Sequence, residues 1–210
     1  YTAVPAGNLK DTLSIRDEEG AVGAGRKNGN ADGVNGSATS YLQLSNTGGL
    51  DPTDGRLTVS GWVRFAGTGS DFPRFMTSKA SGGANEGFEI FGEGTAGLWR
   101  MRGHDSKQQS NIAMGWSKDE WILLTFVYDG DHFAAYRDGQ VAFDGKVTGG
   151  TIVKSAQMTT IGSHSNGSEK TIYGTLDEFR VRYGTAASAD WVKAEYDSVA
   201  SDGFLTIGAV

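Results

Sequence analysis

Residues Trp121–Phe143 read WILLTFVYDGDHFAAYRDGQVAF, and this stretch decides the fold class. It opens with a nearly continuous apolar run, which is typical of a central strand covered on both faces. Asp-Gly pairs then interrupt it twice, and such pairs favour hairpin turns because Asp tolerates the left-handed backbone conformation and Gly adopts it freely. The stretch therefore predicts three consecutive antiparallel strands. These strands are Trp121–Tyr128, His132–Tyr136 and Gln140–Phe143, with turns at Asp129-Gly130 and Asp138-Gly139.

Short strand-like segments alternate with turn signals over most of the remaining chain. Asn-Gly or Asp-Gly pairs recur between Asn28-Gly29 and Asp202-Gly203. This spacing is typical of a sandwich or barrel and not of a chain that alternates strands with helices. The other predicted strands are Tyr41–Leu44, Thr58–Phe65, Phe72–Ser78, Gly87–Phe91, Leu98–Arg102, Met158–Gly162 and Leu176–Tyr183, with further candidates at Leu13–Arg16 and Phe204–Ile207.

One segment, Ser188–Ser198 (SADWVKAEYDS), has helical periodicity instead. Ser188 is suited to cap the helix N-terminus, and Trp191 and Tyr196 are predicted to form its docking side. The sequence shows no internal repeat and no linker. We therefore predict a single domain over residues 1–210, an all-β antiparallel sandwich with one short C-terminal helix.

Charge and composition exclude several function classes. The chain has 19 Lys and Arg against 25 Asp and Glu, a net charge of −6, so it repels phosphate backbones and no nucleic-acid partner is expected. No apolar run approaches the ~18 residues of a membrane-spanning helix, so no membrane insertion is expected. The absence of cysteine excludes disulfides and cysteine-ligated zinc. Because the chain begins at Tyr1, without an initiator Met, we expect it to be part of a larger protein with neighbouring domains.

Three segments in order resemble one known family. They are Ser40–Phe65 (SYLQL…LDP…LTVSGWVRF), Glu120–Gly145 (EWILLTFVYDGDHFAAYRDGQVAFDG) and Thr160–Ser198 (TIGSH…YGTLDEFRVRYGTAASADWVKAEYDS). Their order and spacing resemble the bacterial laminin G-like domains, which are concanavalin A-like lectin jelly rolls. The resemblance implies two curved antiparallel sheets packed face to face.

The same resemblance implies a function. It points to a non-catalytic carbohydrate-binding or adhesion module of a larger secreted or cell-surface bacterial protein, stabilised by calcium. Its partner would be a glycan or a surface protein. The alternative is a structural spacer or protein-interaction domain without a glycan ligand. Because related sandwiches include glycoside hydrolases and lyases, an enzyme is the third possibility.

An enzyme of this kind needs a pair of carboxylates across a cleft. The nearest pattern is Glu89-Ile90-Phe91-Gly92-Glu93, which has the outer spacing of the Glu-x-Asp-x-Glu strand of related glucanases but carries Phe91 in place of the central Asp. Gly92 and Gly94 suggest that Glu93 sits in the turn after the strand. We interpret both glutamates as solvated side chains at a hairpin edge and predict no catalytic residue.

The resemblance also implies a calcium site. Asp177 matches the aspartate that, in similar sandwiches, joins backbone carbonyls of the turn before an early strand, here the turn around Gly36. Strand alternation predicts Asp177 on the core side with Phe179, where an ionised carboxylate is costly unless it is paired or bound to metal. The alternative is that Asp177 caps backbone amides or pairs with an arginine.

Sugar-binding modules stack sugar rings on exposed aromatic side chains. Trp62, Trp121 and Trp191 occupy positions that are structural in the similar family. Trp116 follows a long polar segment, Gly103–Gly115, which we interpret as a loop. Trp116, together with His104 and Trp99, is therefore the predicted ligand site.

Overall fold

The structure is a computed structural model of the 210-residue chain. It describes residues 15–16, 20–21, 42–44, 55–65, 72–79, 87–93, 97–103, 108–130, 132–146, 152, 155, 159–164, 170, 172, 174–201 and 204. For residues 15–16, 20–21, 42–44, 108–110 and 175 the description covers the backbone alone. Gly36 and His104 lie outside the described residues.

The described secondary structure consists of short strands and a single helix. The elements are β1 (Ile15–Arg16), β2 (Gly20–Ala21), β3 (Leu42–Leu44), β4 (Arg56–Phe65), β5 (Arg74–Thr77), β6 (Glu89–Glu93), β7 (Leu98–Arg102), β8 (Gln108–Ala113), β9 (Trp121–Asp129), β10 (His132–Arg137), β11 (Gln140–Lys146), β12 (Thr159–Ile161), β13 (Gly174–Tyr183) and α1 (Ala189–Ala200). The strands predicted from Tyr41 to Tyr183 are found with small shifts at their ends. Phe204 lies in a bend, and the rest of its predicted strand is outside the described residues. No helix in the described part of the chain is long and apolar enough to cross a bilayer.

Two large antiparallel sheets are present. One has five strands in the order β11-β10-β9-β4-β13, and the other has six in the order β3-β12-β5-β6-β7-β8. The two predicted hairpins are β9–β10 and β10–β11. The short strands β1 and β2 pair with each other. The predicted antiparallel β-sandwich with a C-terminal helix is therefore confirmed.

Inward side chains of both sheets share one apolar core. Phe75 of β5 and Trp99 of β7 each meet Phe126 of β9, with ring centroids 5.5 and 5.6 Å apart. All three side chains are at most 1% exposed. Buried aromatic rings contribute a large share of the apolar area that stabilises a core of this kind. Contacts across the two sheets therefore hold the sandwich closed.

Helix α1 packs on the outer face of the five-stranded sheet. Ser188 caps it as predicted, because its Oγ accepts a hydrogen bond from the Trp191 amide at 3.2 Å. Val192 is wholly buried against Val127 and Tyr136. The sheet is thus sandwiched between the core and the helix, which accounts for the continuously apolar sequence of β9.

The predicted docking side of α1 is half right. Tyr196 stacks on Trp62 with ring centroids 5.7 Å apart, but Trp191 is 56% exposed. The helix instead buries Val192 and Glu195. Because successive residues of a helix are about 100° apart around its axis, the side chain before Val192 points away from the sheet.

A polar layer lies between α1 and the sheet. Glu195 Oε1 accepts hydrogen bonds from Ser60 Oγ at 3.0 Å, from Arg180 Nη1 at 3.0 Å and from Arg182 Nη2 at 3.1 Å. The Glu195 side chain is only 6% exposed. A carboxylate this buried is tolerated when it is paired and hydrogen-bonded, as it is here.

A bulge in β13 changes which face its side chains reach. The ladder pairs Asp177 with Trp62 but Arg180 with Ser60, so two residues of β13 lie opposite the single residue Gly61, and β13 has one extra residue here. Asp177 therefore shares the helix-covered face with Trp62, whereas Phe179 packs against the core. The prediction that Asp177 lies on the core side was wrong, because uninterrupted alternation was assumed.

Candidate functional site on the six-stranded sheet

Strand β6 alternates its side chains between the core and the outer face of the six-stranded sheet. Ile90 belongs to the core, so Glu89, Phe91 and Glu93 point to the outer face. The prediction that Glu93 lies in a turn was wrong, because β6 runs to this residue. The glutamates are not solvated either: their side chains are 4% and 15% exposed.

Arginines from the two neighbouring strands cover these carboxylates. Arg74 Nε of β5 lies 3.1 Å from Glu89 Oε2, and Arg102 Nη1 of β7 lies 2.9 Å from Glu89 Oε1. Arg100 of β7 forms an ion pair with Glu93, whose second oxygen lies 3.3 Å from a backbone amide of β8. Each glutamate is therefore fixed in position from a neighbouring strand.

Phe91 lies at the centre of these charges. The guanidinium carbons of three arginines lie 4.1, 5.4 and 5.5 Å from its ring centroid, within range of cation–π attraction. The ladder places them on one face, since Phe91 is opposite Arg74 on one side and opposite Arg100 on the other. We refer to this set as the Phe91 cluster. Its members are Arg74, Glu89, Phe91, Glu93, Arg100 and Arg102.

A second aromatic ring extends the cluster toward solvent. Phe72 meets Phe91 edge-on with centroids 6.3 Å apart and is 39% exposed. Lys170 Nζ lies 5.3 Å from the Phe72 ring centroid, and the Lys170 carbonyl accepts the backbone amide of Arg74 at 2.9 Å. The face thus combines an accessible ring with hydrogen-bond donors and acceptors held by β-strands, which is the chemistry of a polar ligand site.

Two of the predicted ligand residues, Trp99 and Trp116, belong to the core and not to the Phe91 cluster. Trp99 is 0% exposed in the core, so the prediction that it contacts a ligand is not supported. Trp116 is half-buried and packs on the same core, with ring centroids 4.1 Å from Phe65 and 6.0 Å from Trp99. The structure therefore brings Trp116 and Trp99 together, but as packing residues at one end of the core. His104 lies outside the described residues.

Asp177 is wholly buried at the bulge of β13. Its Oδ1 accepts the backbone amide of Glu178 at 2.8 Å, which is the backbone-capping role considered as an alternative to calcium. Calcium takes about 6–8 oxygen ligands. Within the described ranges, no group of three or more acidic or histidine side chains is placed to hold a metal. Of the two predicted calcium ligands, Asp177 lies within the described residues and Gly36 lies outside them, so the calcium site stays a prediction.

The Phe91 cluster was missed although its pattern is present in the sequence. Alternation alone places Glu89, Phe91 and Glu93 on one side of β6 and Arg100 and Arg102 on one side of β7. What the sequence does not contain is the register between the two strands, which sets each glutamate against an arginine. Without it, each charge resembles an ordinary solvated side chain.

Comparison with known proteins gives a family match over most of the chain. The family model described as the concanavalin A-like lectin/glucanases superfamily matches residues 35–193. No curated protein matches the sequence at a significant level.

Several solved structures share the fold. Domain 4 of an extracellular GH43 arabinanase from Geobacillus stearothermophilus, solved in complex with arabinotriose, is 17% identical with a TM-score of 0.58, over 90% of this chain and 87% of that one. The botulinum neurotoxin serotype D binding domain is 15% identical with a TM-score of 0.55, over 77% of this chain and 40% of that one. The botulinum neurotoxin DC binding domain in complex with SialylT is 12% identical with a TM-score of 0.54, also over 77% and 40%. This chain thus spans less than half of each toxin domain, and identities this low show the fold alone.

Proposed function

The chain belongs to the concanavalin A-like lectin/glucanase superfamily, and on that premise we propose that it is a non-catalytic glycan-binding module. The observation that carries the proposal is the Phe91 cluster with its exposed neighbour Phe72. Sugar rings stack their apolar faces on aromatic side chains, and fixed polar groups around the ring orient the hydroxyls. The outer face of the six-stranded sheet offers both.

A binding role suits the cluster better than a catalytic one. A glycoside hydrolase needs two carboxyl groups that reach the glycosidic bond from opposite sides. Here Glu89 lies beneath Arg74 and Arg102, and Glu93 is paired with Arg100. Both glutamates therefore act as anchors for arginines. The arabinanase domain and the neurotoxin binding domain solved with arabinotriose and SialylT add support, since both share the fold.

A glycan array with the wild-type chain tests the proposal, followed by titration of the best ligand against two variants. Phe72→Ala removes the accessible ring and should weaken binding by roughly five- to tenfold, the loss of one stacking contact. Phe204→Ala is the matched control, because Phe204 is also exposed but follows α1. An empty array, or an equal loss in both variants, would reject the Phe91 cluster as a glycan site.

Export and calcium belong to the same proposal. We infer that the module works outside the cell, as part of a larger secreted or surface bacterial protein, with a calcium ion at Asp177. The family membership and the buried Asp177 carboxylate support this. The full-length gene tests the first part: a coding sequence without any export signal would contradict it.

A second candidate function is protein contact through α1. Trp191 is 56% exposed, and the Arg182 guanidinium carbon lies 5.4 Å from its ring centroid. Exposed tryptophans are enriched at protein interfaces. A partner that docks there would bury Trp191, so that Trp191→Ala would reduce partner binding while Phe72→Ala left it unchanged.

A further inference from the structure

We propose that the ligand of the Phe91 cluster is an anionic glycan, one that carries carboxylate or sulfate groups. This inference rests on the proposed glycan-binding function and adds the chemical class of the ligand. It comes from the arrangement of charges on the outer face of the six-stranded sheet.

The described side chains of this face are predominantly cationic. Arg74, Arg100, Arg102 and Lys170 are grouped around Phe91 and Phe72, together with two glutamates. The chain as a whole has a net charge of −6. A cationic area on an acidic protein concentrates anions locally, against the field of the rest of the molecule.

The carboxylates and guanidinium groups of the cluster also differ in how deeply they are buried. The carboxylates lie at the bottom, since the Glu89 side chain is 4% exposed and that of Glu93 is 15% exposed. Two of the arginines lie nearer the surface, since the Arg100 and Arg102 side chains are 22% and 27% exposed, whereas that of Arg74 is 11% exposed. Among the described side chains of the cluster, a ligand that approaches from solvent therefore meets the guanidinium groups of Arg100 and Arg102 before it meets a carboxylate.

The buried glutamates favour an anionic ligand in a second way. Their ion pairs hold the guanidinium planes in fixed orientations over the Phe91 ring, so that little side-chain entropy is lost when a ligand binds. A guanidinium is planar and matches carboxylate and sulfate oxygens with paired N–H donors, which gives charge-assisted hydrogen bonds. A neutral sugar can use the same donors but gains no such assistance.

Matched pairs of polysaccharides at one fixed ionic strength provide the test. Polygalacturonate is compared with its methyl ester, and dextran sulfate with dextran, by calorimetric titration of the whole chain. The first pair isolates a carboxylate and the second a sulfate. We expect binding of at least one anionic member about tenfold or more tighter than binding of its neutral partner.

Three variants test whether the preference for the anionic polysaccharide depends on the Phe91 cluster. Arg100→Gln should weaken binding of the anionic ligand about tenfold. In the wild-type chain Glu93 also accepts the Asn111 amide, a hydrogen bond that does not involve Arg100. Lys170→Gln changes a half-exposed cation with less risk to folding and should weaken binding about two- to fivefold. The control Arg56→Gln removes the same charge from an exposed ion pair of β4 on the other sheet, and it should bind as the wild type does.

Each outcome of these titrations either supports the inference or overturns it. A preference for the anionic member that falls in Arg100→Gln and Lys170→Gln, but not in Arg56→Gln, supports it. Equal binding of charged and neutral members overturns it and leaves glycan binding in place. A preference that survives in both cluster variants also overturns it, because the anion then binds elsewhere. Binding of no glycan here or on the array removes both this inference and the proposed function.

Discussion

Glu195 lies on the buried side of α1 and collects three hydrogen bonds on one carboxylate oxygen. Helical periodicity in the sequence already places Glu195 near Val192 and Tyr196, so its burial agrees with the pattern. Its partners do not follow from the pattern, because Arg180 and Arg182 come from a strand whose register is altered by a bulge.

We predict that Glu195→Ala lowers the free energy of unfolding by about 2–3 kcal/mol, below the upper range for a buried pair because the arginines keep some contact with water. The substitution removes the carboxylate that compensates the positive charges of Arg180 and Arg182 at the helix–sheet contact. Urea denaturation measures the change. Asp197→Ala is the control on the same helix, since its i,i+4 pair with Lys193 is exposed and should contribute less than about 0.5 kcal/mol. Similar losses in the two variants would show that Glu195 acts as a surface residue.

Residue-level prediction of the site succeeded only in part. A tryptophan beyond a polar segment suggested an exposed ring at Trp116, but that ring packs against Phe65. The segment before it contains strand β8, which was not among the predicted strands. In the described side chains of β8, Ile112 alone is buried between exposed Asn111 and Ala113, and Asn111 has a positive φ of 58°. A sequence with so little apolar periodicity is typical of a loop, although this segment forms a strand.

At the scale of elements, the bulge of β13 and a glycine of β4 form a matched pair. Phe179 is one of the two bulge residues opposite Gly61, and its ring lies over Gly61 and contacts Phe75 with centroids 4.7 Å apart. A Cβ at Gly61 would lie 2.7 Å from a Phe179 ring carbon and 3.3 Å from Phe75. The missing side chain of one strand thus leaves room for the extra side chain of its neighbour.

Gly61→Ala should therefore destabilise the domain by about 1–3 kcal/mol, the usual range for overpacking a core. Phe179→Ala should also destabilise it, because it leaves a cavity. In the double variant the new methyl group occupies space that the ring has vacated. The double variant should therefore lose at least ~1 kcal/mol less unfolding free energy than the sum of the two single losses. A cycle of chemical denaturation measurements gives this coupling. Strictly additive losses would mean that Gly61 and Phe179 do not share the space.

At the scale of the molecule, turn chemistry and apolar runs predicted the sandwich and its hairpins, because both are local properties of the chain. The Phe91 cluster depends on register between three strands of one sheet, and the position of Asp177 depends on a bulge. Neither can be obtained from alternation along a single strand. The expected calcium site also depends on the whole fold, since its predicted ligands come from distant parts of the chain.

Thermal unfolding tests calcium binding. If an ion binds at Asp177 in the folded chain alone, saturating calcium should raise the melting temperature by roughly 5–10 °C relative to excess chelator. Asp177→Asn should melt at one temperature in both conditions. Asp144→Asn, which changes an exposed carboxylate of β11, should keep the full response. A wild-type chain without a calcium-dependent shift would remove Asp177 as a metal ligand.

The placement of α1 on the five-stranded sheet has a practical consequence. The helix and the Phe91 cluster lie on opposite outer faces of the sandwich, and the chain contains no cysteine. A single Lys193→Cys substitution, at a side chain 56% exposed on α1, would introduce one reactive thiol on the face remote from the cluster. Coupling through that thiol would orient every molecule on a sensor chip in the same way, with the arginines directed toward the flowing sample. The same thiol could carry a fluorophore without obstructing the Phe91 cluster.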